Sequence, residues 1–232
     1  MKLLITGANR GLGLALTTAA VKRGHTVYAG VRNPEQANSL TKLSAIFPSQ
    51  VKVLPLDVAD EETCREASKR LAEENISLDV ILNNAAILNE RSKTIEEVDI
   101  NNVELSFDIN LFGPMRVVKH FLPLLDKGPQ ASIINISSEA GSFQNAYGGD
   151  YPYALTKSAI NMFSSQLKKY LAEDQVAVYA IHPGWIKTDM GGEKAPGTPE
   201  ESSQGILDII ERKKEIQGSS TFINFKGEAM PL

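Results

Sequence analysis

Leu3-Leu-Ile-Thr-Gly-Ala-Asn-Arg-Gly-Leu-Gly13 is the stretch that decides the fold. It opens as an apolar, β-prone run, Leu3 to Ile5. Gly7, Gly11 and Gly13 follow, and then Leu14 to Lys22, rich in alanine and leucine and helical in character. Strand, glycine turn and helix form the unit that sets a helix N-terminus against a phosphate. Glycine suits the turn because the backbone must bend sharply and approach a ligand, and a Cβ obstructs both. The spacing is Gly-x-x-x-Gly-x-Gly, not Gly-x-Gly-x-x-Gly. The competing reading, the weaker of the two, is an ordinary tight turn between a strand and a helix.

Outward from it, strand-like and helix-like runs alternate to the end of the chain. Gly24 ends the first helix. Strands are expected at Thr26 to Val31, Val51 to Leu56, Leu78 to Leu82, Ile133 to Ile136, Val176 to Ile181 and Thr221 to Phe225. Helices are expected from Pro34 to about Ile46, from Glu61 to Glu74, over 95–125 with a break near Gly113-Pro114, from Tyr153 to Ala172, and over 199–213. Residues 184–198, rich in Gly and Pro, read as a mobile loop. With no linker and no repeat, residues 1–232 are read as a single α/β domain. The expected architecture is Rossmann-type: a doubly wound parallel sheet of about seven strands flanked by helices on both faces.

The bulk numbers narrow the function classes. With 42% hydrophobic residues, 22% charged residues and a net charge of −4, the chain has the composition of a globular protein. Nothing in that charge suggests a partner among nucleic acids or anionic membranes. No apolar run approaches a membrane span, and the N-terminus enters a strand with no signal peptide. Cys64 is the only cysteine, which excludes a disulfide framework and fits a cytoplasmic setting. His25, His120 and His182 lack metal-ligand spacing, so no metal is expected and all three read as structural. Glu139 and Asp189 read as hydrogen-bonding loop residues.

The second strand ends Ala29-Gly30-Val31-Arg32, where an NAD-binding fold carries an acid for the ribose 2′-hydroxyl. Arg32 in that place, with Arg10 inside the glycine turn, favours a 2′-phosphate and hence NADP(H). A solvated surface role for both arginines is the competing reading. Tyr153 and Lys157 stand four apart, which on a helix is one face. An ammonium there is expected to lower the phenol pKa toward the range of an acid–base catalyst. Tyr151, with Leu155 four residues on, has no such partner. Ser137 and Ser138, Asn83-Asn84, Asp57-Val58 and Pro183-Gly184 each follow a strand, and parallel sheets build their sites at those ends.

On these residues the chain resembles the short-chain dehydrogenase/reductase family, and within it the C-factor and sniffer-like carbonyl reductases. The likeness runs from Leu3 to about Phe225. Its motifs come in order: Thr6-Gly7-x-x-x-Gly11-x-Gly13, Asn83-Asn84-Ala85-Ala86, Asn110, Ser138, Tyr153-x-x-x-Lys157, and Pro183-Gly184 with Thr188. The resemblance implies NADPH-dependent reduction of a small-molecule carbonyl substrate. Tyr153 would be the acid–base, and Lys157 would tune it and hold the nicotinamide ribose. Ser138 would position the carbonyl; the resemblance selects it over Ser137 as the second of the pair. Asn110 would hold a water that links Lys157 to solvent. Cofactor contacts would fall to Gly7, Asn9, Arg10, Gly11, Leu12, Gly13, Arg32, Asp57, Val58, Asn84, Ala85, Ala86, Tyr153, Lys157, Pro183, Gly184, Ile186 and Thr188. Tyr147 and Trp185 are the substrate candidates, with packing as their competing role.

Ala86 departs from the family pattern by replacing the usual glycine, and the Ser138–Tyr153 interval is two residues longer than in many members. The chain after the last motif is short, which implies an open pocket. The resemblance also implies a homodimer or homotetramer on helices 95–125 and 153–172, with a monomer left open by sniffer-like relatives. Two rival functions share parts of the pattern: an NADP(H)-binding sensor with little turnover, and an epimerase or dehydratase that returns its cofactor unchanged.

Overall fold

The computed structural model describes residues 1–216 and 218–232. Its strands are β1 (Lys2–Thr6), β2 (Thr26–Val31), β3 (Val51–Pro55), β4 (Val80–Asn83), β5 (Ser132–Ile136), β6 (Ala177–His182) and β7 (Phe222–Asn224). They form one sheet in the order β3-β2-β1-β4-β5-β6-β7, with every neighbouring pair parallel. The order reverses at β1 and β4, where β1 lies between β2 and β4. Crevices at such a switch are where open α/β sheets take ligands.

The helices are α1 (Gly11–Lys22), α2 (Asn38–Ile46), α3 (Glu61–Glu73), α4 (Ile100–Phe107), α5 (Gly113–Phe121), α6 (Tyr151–Tyr170) and α7 (Pro199–Ile210). They divide between the two faces of the sheet. On one face, Leu16 and Ala20 of α1, Leu40 of α2, and Ile206 and Ile210 of α7 pack on Leu3, Ile5, Val27 and Ile181. On the other, Ala67 and Leu71 of α3, Val117 and Phe121 of α5, and Leu167 of α6 pack on Leu4, Ile81, Ile133 and Val178. A strand covered on both faces reads as a continuous apolar run, and all five residues of β5 are buried. At the far ends of α1 and α7, Arg23 pairs with Asp208 at 2.8 Å and Glu211 at 2.9 Å, and His25 Nε2 lies 2.6 Å from Glu211.

Three of these seven α-helices are capped by a side chain. Asp60, Asp99 and Thr198 accept backbone N–H bonds at the starts of α3, α4 and α7. The start of α1, like those of α2, α5 and α6, has no side-chain cap. Its cap residue is Arg10, which makes no side-chain capping bond, and no acidic residue lies in the first turn. The N–H groups there are left for something else to satisfy.

Several boundaries depart from the sequence expectation. α2 starts at Asn38, after a separate 3-10 turn at Pro34–Gln36. β4 starts at Val80, and Leu78 makes only a bridge to Leu125. α6 begins two residues early, since Pro152 is tolerated in a first turn. α7 stops at Ile210. The expected helix over 95–125 is interrupted over Asp108–Phe112, which forms a π-helical turn, rather than at Gly113 and Pro114 themselves. Pro114 is the reason: it has no N–H, so the α-helical bond to the Asn110 carbonyl is impossible and the turn widens ahead of it. The loop expected over 184–198 is closed at its neck, where Gly197 N–H donates to the Trp185 carbonyl and Lys187 N–H to the Gly197 carbonyl, each at 3.0 Å. Among the described residues, no helix is long and apolar enough to cross a membrane.

Candidate active site

The C-terminal ends of β1, β4, β5 and β6 converge at the start of α1. Thr6, the last residue of β1, locks two of them together. Its Oγ1 accepts from Asn84 N–H at 3.0 Å and from Ala85 N–H at 3.1 Å. Asn84 Nδ2 returns bonds to the carbonyls of Thr6 (3.0 Å) and Gly7 (3.2 Å). Gly7 has φ +65°, and a Cβ on it would stand 2.9 Å from Ala85 Cα. A Cβ on Gly13 would stand 2.1 Å from the Gly7 carbonyl oxygen. The turn therefore closes only with glycine at both positions. It presents the uncapped N–H groups of α1 as an anion cradle, and the missing side chains leave the approach open.

The remaining candidates lie around this cradle. Asp57 Oδ1 accepts from Ala59 N–H at 3.0 Å, and Val58 is buried. Arg32 is exposed at the end of β2. Thr188 has its methyl against Gly11, and its Oγ1 accepts from Gly191 N–H at 3.0 Å. Ile186 is buried and bridges to Gly197, while Pro183 and Gly184 link β6 to that loop. Arg10 is not free. Its Nη1 pairs with Asp189 at 2.8 Å, with side-chain exposures of 69% and 79%, so an anion that recruits Arg10 competes with a carboxylate already present.

On β5 and α6 the two serines separate. Ser137 is buried and its Oγ donates to Asn161 Oδ1 at 2.6 Å. Ser138 caps the 3-10 turn Glu139–Gly141, and its Oγ accepts from Ala140 N–H at 3.2 Å. It lies close enough to Tyr153 to act on the phenol. Lys157, 3% exposed, donates from Nζ to the Ile136 carbonyl at 2.6 Å and lies 5.4 Å from the centre of the Tyr153 ring.

Burial pushes the Tyr153 phenol up to about 12, against smaller downward pulls from the Ser138 hydroxyl and the Arg91 charge. The Lys157 ammonium is turned to the Ile136 carbonyl. Burial lowers Lys157 itself, from 10.5 to about 8. Asn110 uses both of its amide hydrogens within the protein. It is buried in the π turn, with Nδ2 donating to the Ile87 carbonyl (2.9 Å) and Thr156 Oγ1 (3.1 Å) and Oδ1 accepting from Ile87 N–H (2.8 Å). Its side chain has no hydrogen left to give a water.

Tyr147 and Trp185 are both about half exposed. Tyr147 donates to Asp150 Oδ2 at 3.0 Å, and Trp185 Nε1 donates to the Gly191 carbonyl at 2.8 Å. Trp185 also lines a cavity of about 300 Å3 with Gly184, Ile186, Pro196 and Phe225. Three features escape sequence reasoning. Arg91 lies close enough for its charge to act on both Tyr147 and Tyr153. Asp189 pairs with Arg10 across 179 residues. His182 bonds the serine turn. A cation five residues beyond Ala86 is the only signal that could have marked Arg91.

Comparison with known proteins finds relatives along the length of the chain. The family model described as short chain dehydrogenase matches residues 2–198. The carbonyl reductase Sniffer of D. melanogaster superposes with a TM-score of 0.90 at 30% identity, covering 100% of this chain and 99% of that one. An NADPH-bound carbonyl reductase from chicken fatty liver gives 0.88 at 31% identity, covering 100% and 98%. Among curated proteins, the NADPH-dependent pterin aldehyde reductase of Arabidopsis thaliana is 35% identical over 81% of this chain and 75% of its own length.

The buried ammonium has a measurable cost. A lysine lowered from 10.5 to about 8 makes the charged form unfavourable by roughly 3 kcal/mol at neutral pH. Between those two values the unfolded chain keeps a proton that the native chain has released, so stability from this group rises with pH across that window. Unfolding by urea at pH 7 and pH 10.5, for the wild type and Lys157→Met, isolates the effect. The wild type should gain up to roughly 3 kcal/mol relative to the variant over that range, whereas an unchanged difference would mean an ordinary lysine.

Proposed function

The chain belongs to the short chain dehydrogenase family, and from that premise we propose that it reduces an aldehyde or ketone with NADPH, Tyr153 giving the proton. The observation that carries the proposal is the meeting of Ser138, Tyr153 and a buried Lys157 beside the uncapped start of α1.

Gly7, Asn9, Arg10, Gly11, Leu12 and Gly13 would hold the phosphates of the dinucleotide at that helix start. Arg32, joined by Arg10 once released from Asp189, would take the 2′-phosphate. Asp57, with one carboxylate oxygen free of the Ala59 bond, would receive the adenine beside Val58. Asn84, Ala85, Ala86, Pro183, Gly184, Ile186 and Thr188 would line the nicotinamide half. The cofactor supplies the hydride when bound.

The chain's own groups would do the rest. Ser138 Oγ already accepts from Ala140 N–H, so its hydrogen is available for a carbonyl oxygen. Burial keeps Tyr153 protonated until that oxygen gains negative charge. The proton then passes from the phenol to the developing alkoxide. Lys157, still mainly charged at neutral pH, stabilises the phenolate left behind. With both Asn110 amide hydrogens used, a water returning protons to Lys157 would sit on its backbone carbonyl, the one that Pro114 leaves without an α-helical donor. Tyr147 and Trp185 would border the substrate. The setting would be cytoplasmic, with Cys64 reduced.

A homodimer or homotetramer is part of the same proposal. Ile100, Leu105, Phe112 and Met115 on the α4–α5 run, and Leu155 and Met162 one heptad apart on α6, are all large apolar residues left exposed.

Three measurements test these readings. NADPH and NADH titrated separately, with nicotinamide fluorescence as the signal, should show NADPH bound at least about tenfold tighter, and Arg32→Asp should erase the preference. Equal or tighter NADH binding would refute the cofactor assignment. Tyr153→Phe should cut kcat by roughly 10²–10⁴-fold on an aldehyde panel with NADPH affinity unchanged, and a variant that turns over normally would leave Tyr153 without its role. Sedimentation equilibrium at micromolar concentration should find an oligomer that Met162→Glu weakens; a wild-type monomer would rule the interface out.

A further inference from the structure

His182 ends β6 level with Asn224 of β7. Its Nδ1 accepts the backbone N–H of Glu139 at 3.2 Å. An imidazole nitrogen that accepts an amide hydrogen carries none of its own, so the ring is neutral with its hydrogen on Nε2. Glu139 immediately follows Ser138 and begins the one-turn helix that Ser138 caps.

That turn is pinned on its other side by α6. A Cβ on Gly141 would lie 2.5 Å from the Lys157 carbonyl carbon. The Gly141 carbonyl accepts from Ser158 Oγ at 2.9 Å and Asn161 Nδ2 at 3.3 Å. The 139–141 segment is thus clamped between α6 and the end of β6, and among the described residues His182 is the titratable member of the clamp on the β6 side. The mechanism above gives this imidazole no part.

We propose that His182 is a positioning residue for Ser138: the neutral ring holds the Glu139 amide, and with it the serine hydroxyl, in the orientation carbonyl reduction uses, and protonation of Nδ1 releases it. The inference rests on the proposed role of Ser138. On protonation Nδ1 gains a hydrogen and faces the Glu139 N–H donor to donor, so the bond is lost and the turn relaxes. No other group need change.

The groups around the ring support a switch below the ordinary imidazole range. Burial disfavours the imidazolium, and the Glu139 carboxylate favours it to a smaller degree. Asn224 at the end of β7 and Phe225 after it carry no charge, and Phe225 N–H donates to the His182 carbonyl at 3.0 Å. Lys226 beyond them lies over the Phe225 ring, and Lys157 on α6 is held by the Ile136 carbonyl. A tyrosine acid alone gives no reason for reduction to slow in mild acid, so an acid-side loss points to the histidine.

Two substitutions separate the role from mere packing. Asparagine can keep an acceptor for the Glu139 amide but does not titrate, whereas leucine fills the space and offers no acceptor. With NADPH and 4-nitrobenzaldehyde, kcat of the wild type should fall as pH drops from 7 to 5. His182→Leu should lose roughly ten- to a hundredfold in kcat at every pH with NADPH affinity unchanged. His182→Asn should recover most of that loss at pH 7.5 and show no acid-side fall.

Independently of turnover, the Glu139 amide resonance in a 15N–1H spectrum should move with pH in the wild type, with its midpoint below 6.5, and hold still from pH 5 to 7 in His182→Asn. A wild-type kcat in His182→Leu, or an acid limb that persists in His182→Asn, overturns the inference. So does a Glu139 amide blind to the imidazole. An amide that titrates in a protein with no carbonyl turnover would instead overturn the proposed function and leave the histidine clamp standing.

Discussion

A single ammonium, buried under a backbone carbonyl, constrains the catalytic half of this molecule. Lys157 Nζ lies 2.6 Å from the carbonyl oxygen of Ile136 and is almost wholly removed from water. A charge in that position is unfavourable, and a marginal fold could not hold it. It is held here because β5 is buried along its whole length and α6 is pinned to the strand end by Ser137 and Asn161. The close approach of Gly141 to the backbone of Lys157 follows from the same packing. So does the position of Tyr153 one turn earlier on α6. Stability spent at this point is supplied by two apolar layers, one on each face of the sheet.

The fold was legible because its signals are local. Short apolar runs of three to six residues gave the strands, and glycines, prolines and capping residues gave their ends. The doubly wound topology follows from alternation together with the handedness of parallel crossovers. What the sequence could not show was how side chains compete. Pro114 is visible as a helix disturbance, but the π turn that it produces lies ahead of it, around Asn110. Tyr153 and Lys157 stand four apart on one helix, yet spacing does not reveal that burial raises the phenol. Arg10 was identifiable as a cation in the glycine turn; its partner Asp189 lies 179 residues away.

The same limit applies to the candidate site. Residues at strand ends were identifiable because the site of a parallel sheet lies there. Thr6 illustrates what is added by seeing the fold. In the sequence it is the residue before a glycine, whereas in three dimensions its one oxygen accepts two backbone hydrogens and joins β1 to β4. His182 is similar. A lone histidine without metal-ligand spacing reads as structural, and only the register of β6 against the serine turn brings its ring to the Glu139 amide.

The tie between Thr6 and Asn84 has a consequence for how the chain reaches its native form. It joins residues 78 positions apart, Arg10 meets Asp189 across 179, and Arg23 meets Glu211 across 188. The glycine turn is thus encoded near the start of the chain but completed by segments made much later. Contacts of such long sequence separation are slow to form, because the entropy of closing the loop is lost before the contact stabilises anything. As the chain emerges in order, β1 and β2 can pair early, while the other edge of β1 waits for β4 with its backbone groups unpaired. That edge is the aggregation hazard of the folding pathway. The anion cradle, though first in the sequence, is among the last parts of the molecule to exist.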